Sequence, residues 1–188
     1  AGLEQLRNPE LIRKSLVLPF RFTTALNEFD RQSHRDIYDA LQDAIDISMS
    51  NVPKFPGDTL VVVDHSGSMG SLKGNSWGCA LVRGMDQSPW AIGTLFAAAL
   101  AKSNDADVMN FGTNAKYVNV NTRDSVVSIR EAMDRCDVGW STNLHAAFAK
   151  ANKPYDRICI FSDMQTWVTR GSTGNSAFNA YCNKYGCK

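Results

Sequence analysis

Five side chains of the sequence carry oxygen atoms of the kind that bind hard divalent cations. Asp64, Ser66 and Ser68 alternate along one segment, Thr142 lies in a later glycine-containing loop, and Asp163 follows further on. Mg²⁺ prefers such carboxylate and hydroxyl oxygens, takes six of them at about 2.0–2.1 Å, and usually keeps some waters. Two carboxylates balance a dication without over-neutralising it. The expected cofactor is therefore Mg²⁺, or else Mn²⁺ or Ca²⁺, with one position open to an anionic oxygen of a partner.

The elements that must position these side chains are buried strands and the loops after them. Thr59–Val63 is a continuous β-branched run directly before Asp64, and the apolar run Arg157–Phe161 stands directly before Ser162 and Asp163. Short runs of this composition are typical of strands buried on both faces of a parallel sheet. In an open α/β sheet the carboxyl ends of the strands meet at one edge, where strand order reverses. The ligand side chains are expected to converge there.

After residue 64, predicted helices and strands alternate along the chain. Ser88–Pro89 predicts the start of a helix over Trp90–Lys102, and a tight turn is expected between two further strands. Such alternation predicts an α/β fold, an open and mostly parallel sheet flanked by helices with right-handed crossovers. The predicted strands are Asp107–Phe111 and Lys116–Val120, and the predicted helices are Thr122–Arg135, Asn143–Ala151 and Ala177–Tyr185.

The first part of the chain is predicted to be helical. Asn8–Pro9 has the composition of a helix start, Pro19 separates this helix from the next, and a longer helix is expected over Gln32–Met49. The segment Val52–Asp58 holds two prolines and a glycine, which predicts a linker. The expected division is a helical segment over residues 1–56 and an α/β domain over residues 57–188.

The order of these signals resembles a known metal site. Asp-x-Ser-x-Ser after an apolar strand, a later Thr142 and an Asp163 after another strand resemble the metal-ion-dependent adhesion site (MIDAS) of von Willebrand factor A domains. The resemblance covers residues 58–188 and implies a Rossmann-like fold that binds ligands through a metal ion. Its partner would supply an acidic group of a protein or a phosphate. The sequence departs from relatives at Trp140–Ser141, where they have glycine before the threonine, and at His65, where a small or apolar residue is commoner.

The N-terminal part and the segment Phe161–Gln165 indicate which family of proteins with such a domain this chain resembles. The N-terminal part is similar to the end of the helical TROVE module of Ro ribonucleoproteins, and the segment Phe161–Gln165 resembles bacterial and phage members of that family. The resemblance implies that a helical ring, mostly missing from this chain, binds small structured RNAs and the ends of misfolded ones. It also implies a natural protein that extends beyond both ends of this chain, with a von Willebrand domain truncated at its C-terminus. The residues that carry the similarity are Pro9–Glu10, Lys14–Ser15, Leu18–Phe22, Ala40–Ser48, Asn51–Pro53 and Phe161–Gln165.

Composition excludes several classes of function. The formal net charge of the 188 residues is +1 and no basic arm is present, so this chain alone is expected to bind RNA weakly. No segment is apolar over the roughly 18 residues that a membrane span requires. The five cysteines lack zinc-type spacing and favour a reducing compartment, the cytoplasm.

Enzymatic alternatives lack their required residues, so the chain is not expected to be an enzyme. A serine hydrolase needs Gly-x-Ser-x-Gly, but Ser66 occupies the position of the first glycine. A phosphoryl-transfer aspartate needs a second carboxylate at position 66, and the sequence lacks the Gly-Lys-Ser/Thr ending of a phosphate-binding loop. A generic protein-interaction A domain with no RNA role stays open as the alternative. Of Trp77, Trp90, Trp140 and Trp167, Trp90 is expected to pack on the sheet, whereas Trp140 and Trp167 are open to ligand contact or packing.

Overall fold

A four-stranded open sheet forms the centre of the protein. The computed structural model describes residues 2–15, 17, 19–50, 52–72, 87–164 and 174–186. Strand β1 (Thr59–Asp64) pairs in parallel with β2 (Asp107–Phe111) on one side and with β4 (Arg157–Phe161) on the other, while β3 (Ala115–Val118) runs antiparallel to β2. The strand order is β3-β2-β1-β4. The predicted open and mostly parallel α/β sheet is confirmed, with one antiparallel hairpin at an edge.

Strand β1 divides the interior into two cores. All six of its residues are buried, as its β-branched composition predicts for a central parallel strand. Val61 and Val63 belong to one apolar cluster, and Leu60 and Val62 belong to the other, because successive side chains of a strand point to opposite faces. The protein is therefore layered as helices, sheet and helices.

Eight helices cover the two faces in the described part of the chain. The cluster around Val61 and Val63 includes residues of α5 and α6 together with residues of α2, α3 and α4. The cluster around Leu60 and Val62 includes residues of α7 and α8. The helices are α1 Gly2–Leu6, α2 Pro9–Ser15, α3 Pro19–Asn27, α4 Arg35–Ser48, α5 Pro89–Asn104, α6 Val126–Arg135, α7 Leu144–Lys150 and α8 Gly174–Tyr185.

The local start signals of two helices have the expected geometry. The Asn8 side chain accepts hydrogen bonds from the amides of Glu10 and Leu11, and Ser88 accepts one from the amide of Ala91. Both residues thereby satisfy amides that the first turn of a helix leaves without a partner. The predicted helix starts at Asn8–Pro9 and Ser88–Pro89 are confirmed.

The predicted start of α6 at Thr122 is wrong. The backbone turns at Asn121, whose side chain accepts a hydrogen bond from the amide of Arg123, and the helix begins only at Val126. Ser125 caps it by accepting from the amide of Ser128. An asparagine that bonds its own downstream backbone competes with the helix, and apolar periodicity does not reveal this competition.

Strand β4 is more exposed to solvent than predicted. Arg157–Phe161 was expected to be buried on both faces, but all five residues are at least partly exposed and Ile160 is 42% exposed. The strand forms an edge of the sheet in the described part of the chain, where it pairs with β1. Its Cys159 is also partly exposed. An apolar composition indicates a strand but does not distinguish an edge strand from a central one.

No helix among the described residues is long and apolar enough to cross a membrane. The expected boundary after residue 56 stays a prediction. Helices from both sides of that boundary contribute to one apolar cluster, since Leu41 and Ile45 of α4 share it with Trp90 of α5 and Ile129 of α6.

Candidate metal site

Asp64 is the central residue of the candidate site. It ends β1, is fully buried, and has both carboxylate oxygens engaged in hydrogen bonds. Its Oδ1 accepts from the amide of Ser66 at 2.9 Å, and its Oδ2 accepts from the hydroxyl of Ser162 at 2.7 Å. The side chain is thus held in one orientation at the carboxyl edge of the sheet, between the loop after β1 and the loop after β4.

The electrostatic environment of Asp64 favours a cation. Burial raises the pKa of Asp64 above its ordinary value, the hydrogen bonds from Ser162 and Ser66 oppose this rise, and the charge of Asp163 adds to it. The segments that build the site, residues 64–70, 137–143 and 161–164, contain three aspartates and no Lys or Arg. A buried carboxylate beside a second carboxylate is costly without positive charge, and a bound dication would supply that charge.

Ser66 and Ser68 lie side by side in the turn that follows Asp64. Their hydroxyl oxygens are 3.2 Å apart, and Gly67–Met69 forms a single 3₁₀ turn between β1 and the following segment. Ser66 is buried and Ser68 is partly buried. Adjacent ligands of an octahedral Mg²⁺ at about 2.0–2.1 Å lie about 2.9 Å apart. The two hydroxyls therefore fit neighbouring positions around such an ion.

The loop that carries Thr142 is fixed against this turn. The carbonyl of Trp140 accepts a hydrogen bond from the amide of Gly67 at 2.9 Å, and the amide of Asn143 donates to the carbonyl of Gly112 at 2.9 Å. Thr142 lies between these two anchors and is 5% exposed. The loop thus places a buried hydroxyl-bearing residue beside the Ser66–Ser68 turn.

Two glycines allow the loops after β2 and before α7 to approach one another. A Cβ atom at Gly112 would lie 2.0 Å from the carbonyl oxygen of Gly139, and a Cβ atom at Gly139 would lie 2.5 Å from Oγ1 of Thr113. Gly139 also has a φ of +80°, which L-residues with side chains rarely adopt. Only residues without a side chain permit this contact, on which the position of the Thr142 loop depends.

Asp163 completes the predicted set. It lies two residues after the end of β4 and is partly buried, and its neighbour Ser162 bonds to Asp64. The structure therefore gathers Asp64, Ser66, Ser68 and Asp163 at one edge of the sheet and holds the Thr142 loop beside them. Ligation by these five residues stays a prediction.

Sequence reasoning missed Ser162, and it placed Gly112 in a tight turn between two strands without a role at the site. The position of Ser162 next to Asp163 was a usable signal, because adjacent residues at a strand end can serve the same site. Among the described residues no group of three or more His, Cys, Asp or Glu converges. The predicted ligand set instead combines two carboxylates with three hydroxyls.

Some aromatic residues near the site are packed in the core, and others are exposed to solvent. Trp90 is fully buried, as expected, and the ring of His65 packs edge-to-face against it with 4.7 Å between ring centroids. The Nδ1 atom of His65 is buried and has no hydrogen-bond partner among the described residues. Trp140 is 65% exposed. Trp77 and Trp167 lie outside the described residues.

The described residues form an open, mostly parallel α/β sheet of the Rossmann-like class, with carboxylate and hydroxyl side chains at its carboxyl edge and helices before its first strand. A solved structure with this architecture is the crystal structure of the Ro (Rsr) protein of Deinococcus radiodurans. It superposes with a TM-score of 0.66 at 20% sequence identity, over 98% of this chain and 38% of that protein. The predicted Ro-like fold is confirmed.

The similarity extends across both the helices and the sheet, because nearly the whole chain is covered. The chain spans 38% of the length of the Deinococcus protein, so activities of that whole protein do not transfer with the fold. No family model matches the sequence, and no curated protein matches it either.

Proposed function

We propose that this chain is a divalent-metal-dependent ligand-binding module of a Ro-like RNA-binding protein and not an enzyme. The observation that carries the proposal is the buried Asp64, which lies near Asp163 and is followed by the paired hydroxyls of Ser66 and Ser68, in segments that contain no Lys or Arg. Similarity to the fold of a Ro protein supports the assignment to a Ro-like RNA-binding protein.

Each ligand residue has a distinct task in this proposal. Asp64 and Asp163 would balance the charge of Mg²⁺, Mn²⁺ or Ca²⁺, and Ser66, Ser68 and Thr142 would contribute neutral oxygens, some of the five through water. The ion would supply the positive charge to which an anionic oxygen of a partner binds. Ser162 orients Asp64 through its hydrogen bond, and the carbonyl of Trp140 anchors the turn at Gly67.

Calorimetric titration with MgCl₂ tests the metal site. We expect the wild-type chain to bind Mg²⁺, and both Asp64→Ala and the isosteric Asp64→Asn to lose binding because they remove the buried negative charge. Asp43→Ala, which removes an exposed carboxylate on α4, serves as the control and is expected to bind like wild type. Equal affinity of Asp64→Asn and wild type would refute the proposed site.

RNA recognition is assigned to a helical ring outside this chain. The net charge of +1 supports this, because affinity for RNA comes largely from phosphate neutralisation by Lys and Arg. A filter-binding titration of this chain with a structured RNA is expected to give a dissociation constant in the ~10⁻⁴–10⁻⁶ M range of non-specific binding. Much tighter binding would place the RNA surface on this chain.

The same charge balance favours a second candidate function, a protein-interaction A domain with no RNA role. The two candidate functions differ in whether the complete protein binds RNA. RNA that copurifies with a longer natural form and is absent from this chain would support the ribonucleoprotein. The cysteine content supports a reducing, cytoplasmic location for either one.

A further inference from the structure

A polar cavity of about 730 Å³ opens at the edge of the sheet opposite the candidate metal site. It lies where β2 begins and β3 ends, and residues 105–108, 117–123 and 152 line it. Eight of these twelve residues are polar or charged: two aspartates, three asparagines, a threonine, a tyrosine and an arginine. The volume is in the range of sites that hold small molecules, and such a lining suits a ligand with many hydrogen-bonding groups.

The cavity lies where β3 diverges from β2. The two strands pair as far as Val108 and Val118, and the chain after Val118 continues without strand structure to the turn at Asn121. Asp105, which follows α5, has a left-handed backbone with a φ of +47°, and its carboxylate accepts a hydrogen bond from the hydroxyl of Thr122. This bond joins the two sides of the cavity and holds both side chains in place.

One wall of the cavity is held by a hydrogen-bonded network. The Tyr117 hydroxyl lies 2.9 Å from Oδ1 of Asn152 and 2.9 Å from the hydroxyl of the buried Tyr155. Tyr155 donates to Oδ2 of Asp107 at 2.8 Å, and burial together with these two contacts raises the pKa of its phenol, which therefore stays protonated. Asp107, Tyr117 and Asn152 consequently present polar atoms in fixed positions, which lowers the entropy cost of binding a ligand.

The charges of the lining disfavour a charged ligand. The lining contains the carboxylates of Asp105 and Asp107 and the guanidinium of Arg123, and Lys153 pairs with Asp107 at 3.0 Å. A phosphate group would meet more negative than positive lining groups, and an ammonium group would compete with Lys153 for Asp107. A neutral hydroxyl group donates to a carboxylate or an amide oxygen and accepts from an amide or a guanidinium, so it can bind to each of these polar groups.

We propose that this cavity binds a small neutral molecule that carries a vicinal diol, the group that a saccharide ring and the ribose of a nucleoside share. Asp105 accepts a hydrogen bond from one hydroxyl, the side-chain amide of Asn119 bonds to its neighbour, and the ring of Tyr117 packs against the apolar face of the ligand ring. Carboxylates bind the ribose hydroxyls of nucleotides in the same way. The cavity is separate from the candidate metal site, so binding requires no divalent ion.

Nuclear magnetic resonance titration of the isotope-labelled chain with two neutral probes tests the site. Adenosine and methyl α-D-glucopyranoside carry the diol, whereas their counterparts, 2′-deoxyadenosine and the fully O-methylated glucoside, lack it. EDTA is present throughout, so that the metal site takes no part. We expect at least one diol probe to shift the backbone amide signals of residues 105–107 and 117–123, and its counterpart to bind about tenfold more weakly because it loses hydrogen bonds to a charged group. A response to adenosine alone assigns the site to nucleosides, and a response to the glucoside alone assigns it to saccharides.

Three variants locate the bound probe. Asn119→Ala removes an exposed side-chain amide from the lining directly after β3, and the matched control Asn114→Ala removes an exposed one directly before β3 and outside the cavity. Asp105→Asn removes the negative charge with a residue of the same shape that tolerates positive φ. We expect Asn119→Ala and Asp105→Asn to weaken binding of the probe by about three- to tenfold, and Asn114→Ala to bind it like wild type.

Four results would overturn the proposal. The first is the absence of shifts with either diol probe, and the second is equal affinity for a probe and its counterpart, which would show that the diol is not recognised. The third is equal affinity of Asn119→Ala and Asn114→Ala for the probe. The fourth is a set of shifts confined to residues 64–70, 137–143 and 161–164, which would locate the probe at the candidate metal site. None of these results bears on Mg²⁺ binding, so the proposed metal-dependent function is tested separately.

Discussion

At the scale of single residues, the site depends on how one buried carboxylate is held. Asp64 is withdrawn from water, and the hydrogen bonds from Ser66 and Ser162 replace part of its hydration. A buried charged group that loses one such donor bears the desolvation cost without compensation. The serine next to Asp163 is therefore as much a part of the site as the predicted ligands are.

Replacement of Ser162 tests this dependence. Ser162→Ala removes the donor to Oδ2 of Asp64 and the acceptor for the amide of Met164, so we expect a loss of about 1–3 kcal/mol in the free energy of unfolding. Mg²⁺ affinity should fall as well, because Asp64 is no longer oriented. Ser162→Thr keeps the hydroxyl and should restore both. Urea denaturation and calorimetry measure the effects, and wild-type values for Ser162→Ala would contradict this role.

The pH dependence of alkylation at Cys136 and Cys159 tests the burial of their thiols. Burial raises the pKa of both thiols, while Lys116 and Arg157 respectively oppose the rise. The reactive thiolate therefore forms at a higher pH than in an ordinary cysteine, and the pH of half-maximal alkylation by iodoacetamide should shift upward. Mass spectrometry resolves each site, and the urea-unfolded chain is the reference. Coincident pH profiles in folded and unfolded chains would contradict the expectation.

At the scale of elements, the loops after β2 and before α7 behave as one unit. Asn110 of β2 donates hydrogen bonds to the carbonyls of Met133 and Cys136 at the end of α6, and the amide of Asn114 donates to the carbonyl of Val138. The segment that carries Thr142 is thus fastened to β2 along its length before it reaches the turn at Gly67.

Substitution of a single glycine should disturb this unit. In Gly112→Ala the new Cβ would lie 2.0 Å from a backbone oxygen, so the loops must separate, and we expect a destabilisation of about 2–4 kcal/mol together with weaker Mg²⁺ binding. The matched control is Gly2→Ala in α1, where a Cβ meets no atom within 4 Å. Alanine should be neutral or mildly stabilising there. Equal thermal unfolding of the two variants would contradict the close approach.

At the scale of the whole molecule, the helices before residue 57 are fastened to the α/β part by polar contacts as well as by a shared apolar core. Asp46 of α4 pairs with Lys102 of α5 at 3.2 Å and accepts from the amide of Val126 at 2.9 Å. The Gln87 side chain donates to the carbonyl of Phe20 and the hydroxyl of Thr24. Such contacts resemble those inside a domain more than those of a flexible linkage.

Differential scanning calorimetry tests this coupling. We expect one cooperative transition for the complete chain, with equal calorimetric and van 't Hoff enthalpies, because residues on both sides of the linker share one core. Asp46→Ala should lower the single transition temperature without splitting it. Two separate transitions in the wild-type chain would contradict the coupling and favour the division into independent units at residues 1–56 and 57–188.

The sequence by itself determined the features that depend on neighbouring residues. The bounds of β2 and β4, the helix starts at Asn8 and Ser88, and the order of the candidate ligands at strand ends all follow from local composition and spacing. The α/β class follows from the alternation of these elements. These features were predictable because backbone capping and side-chain periodicity act within a few residues.

Only the tertiary structure decided which distant residues meet. The edge position of β4, the bond from Ser162 to Asp64 and the contact of Gly112 with Gly139 join segments far apart in the chain. The exposure of Trp140, left open by the sequence, was decided in the same way. Strand order and loop approach depend on how the two cores pack around β1. Apolar residues specify that burial must occur, and the packing of complete elements selects which partners meet.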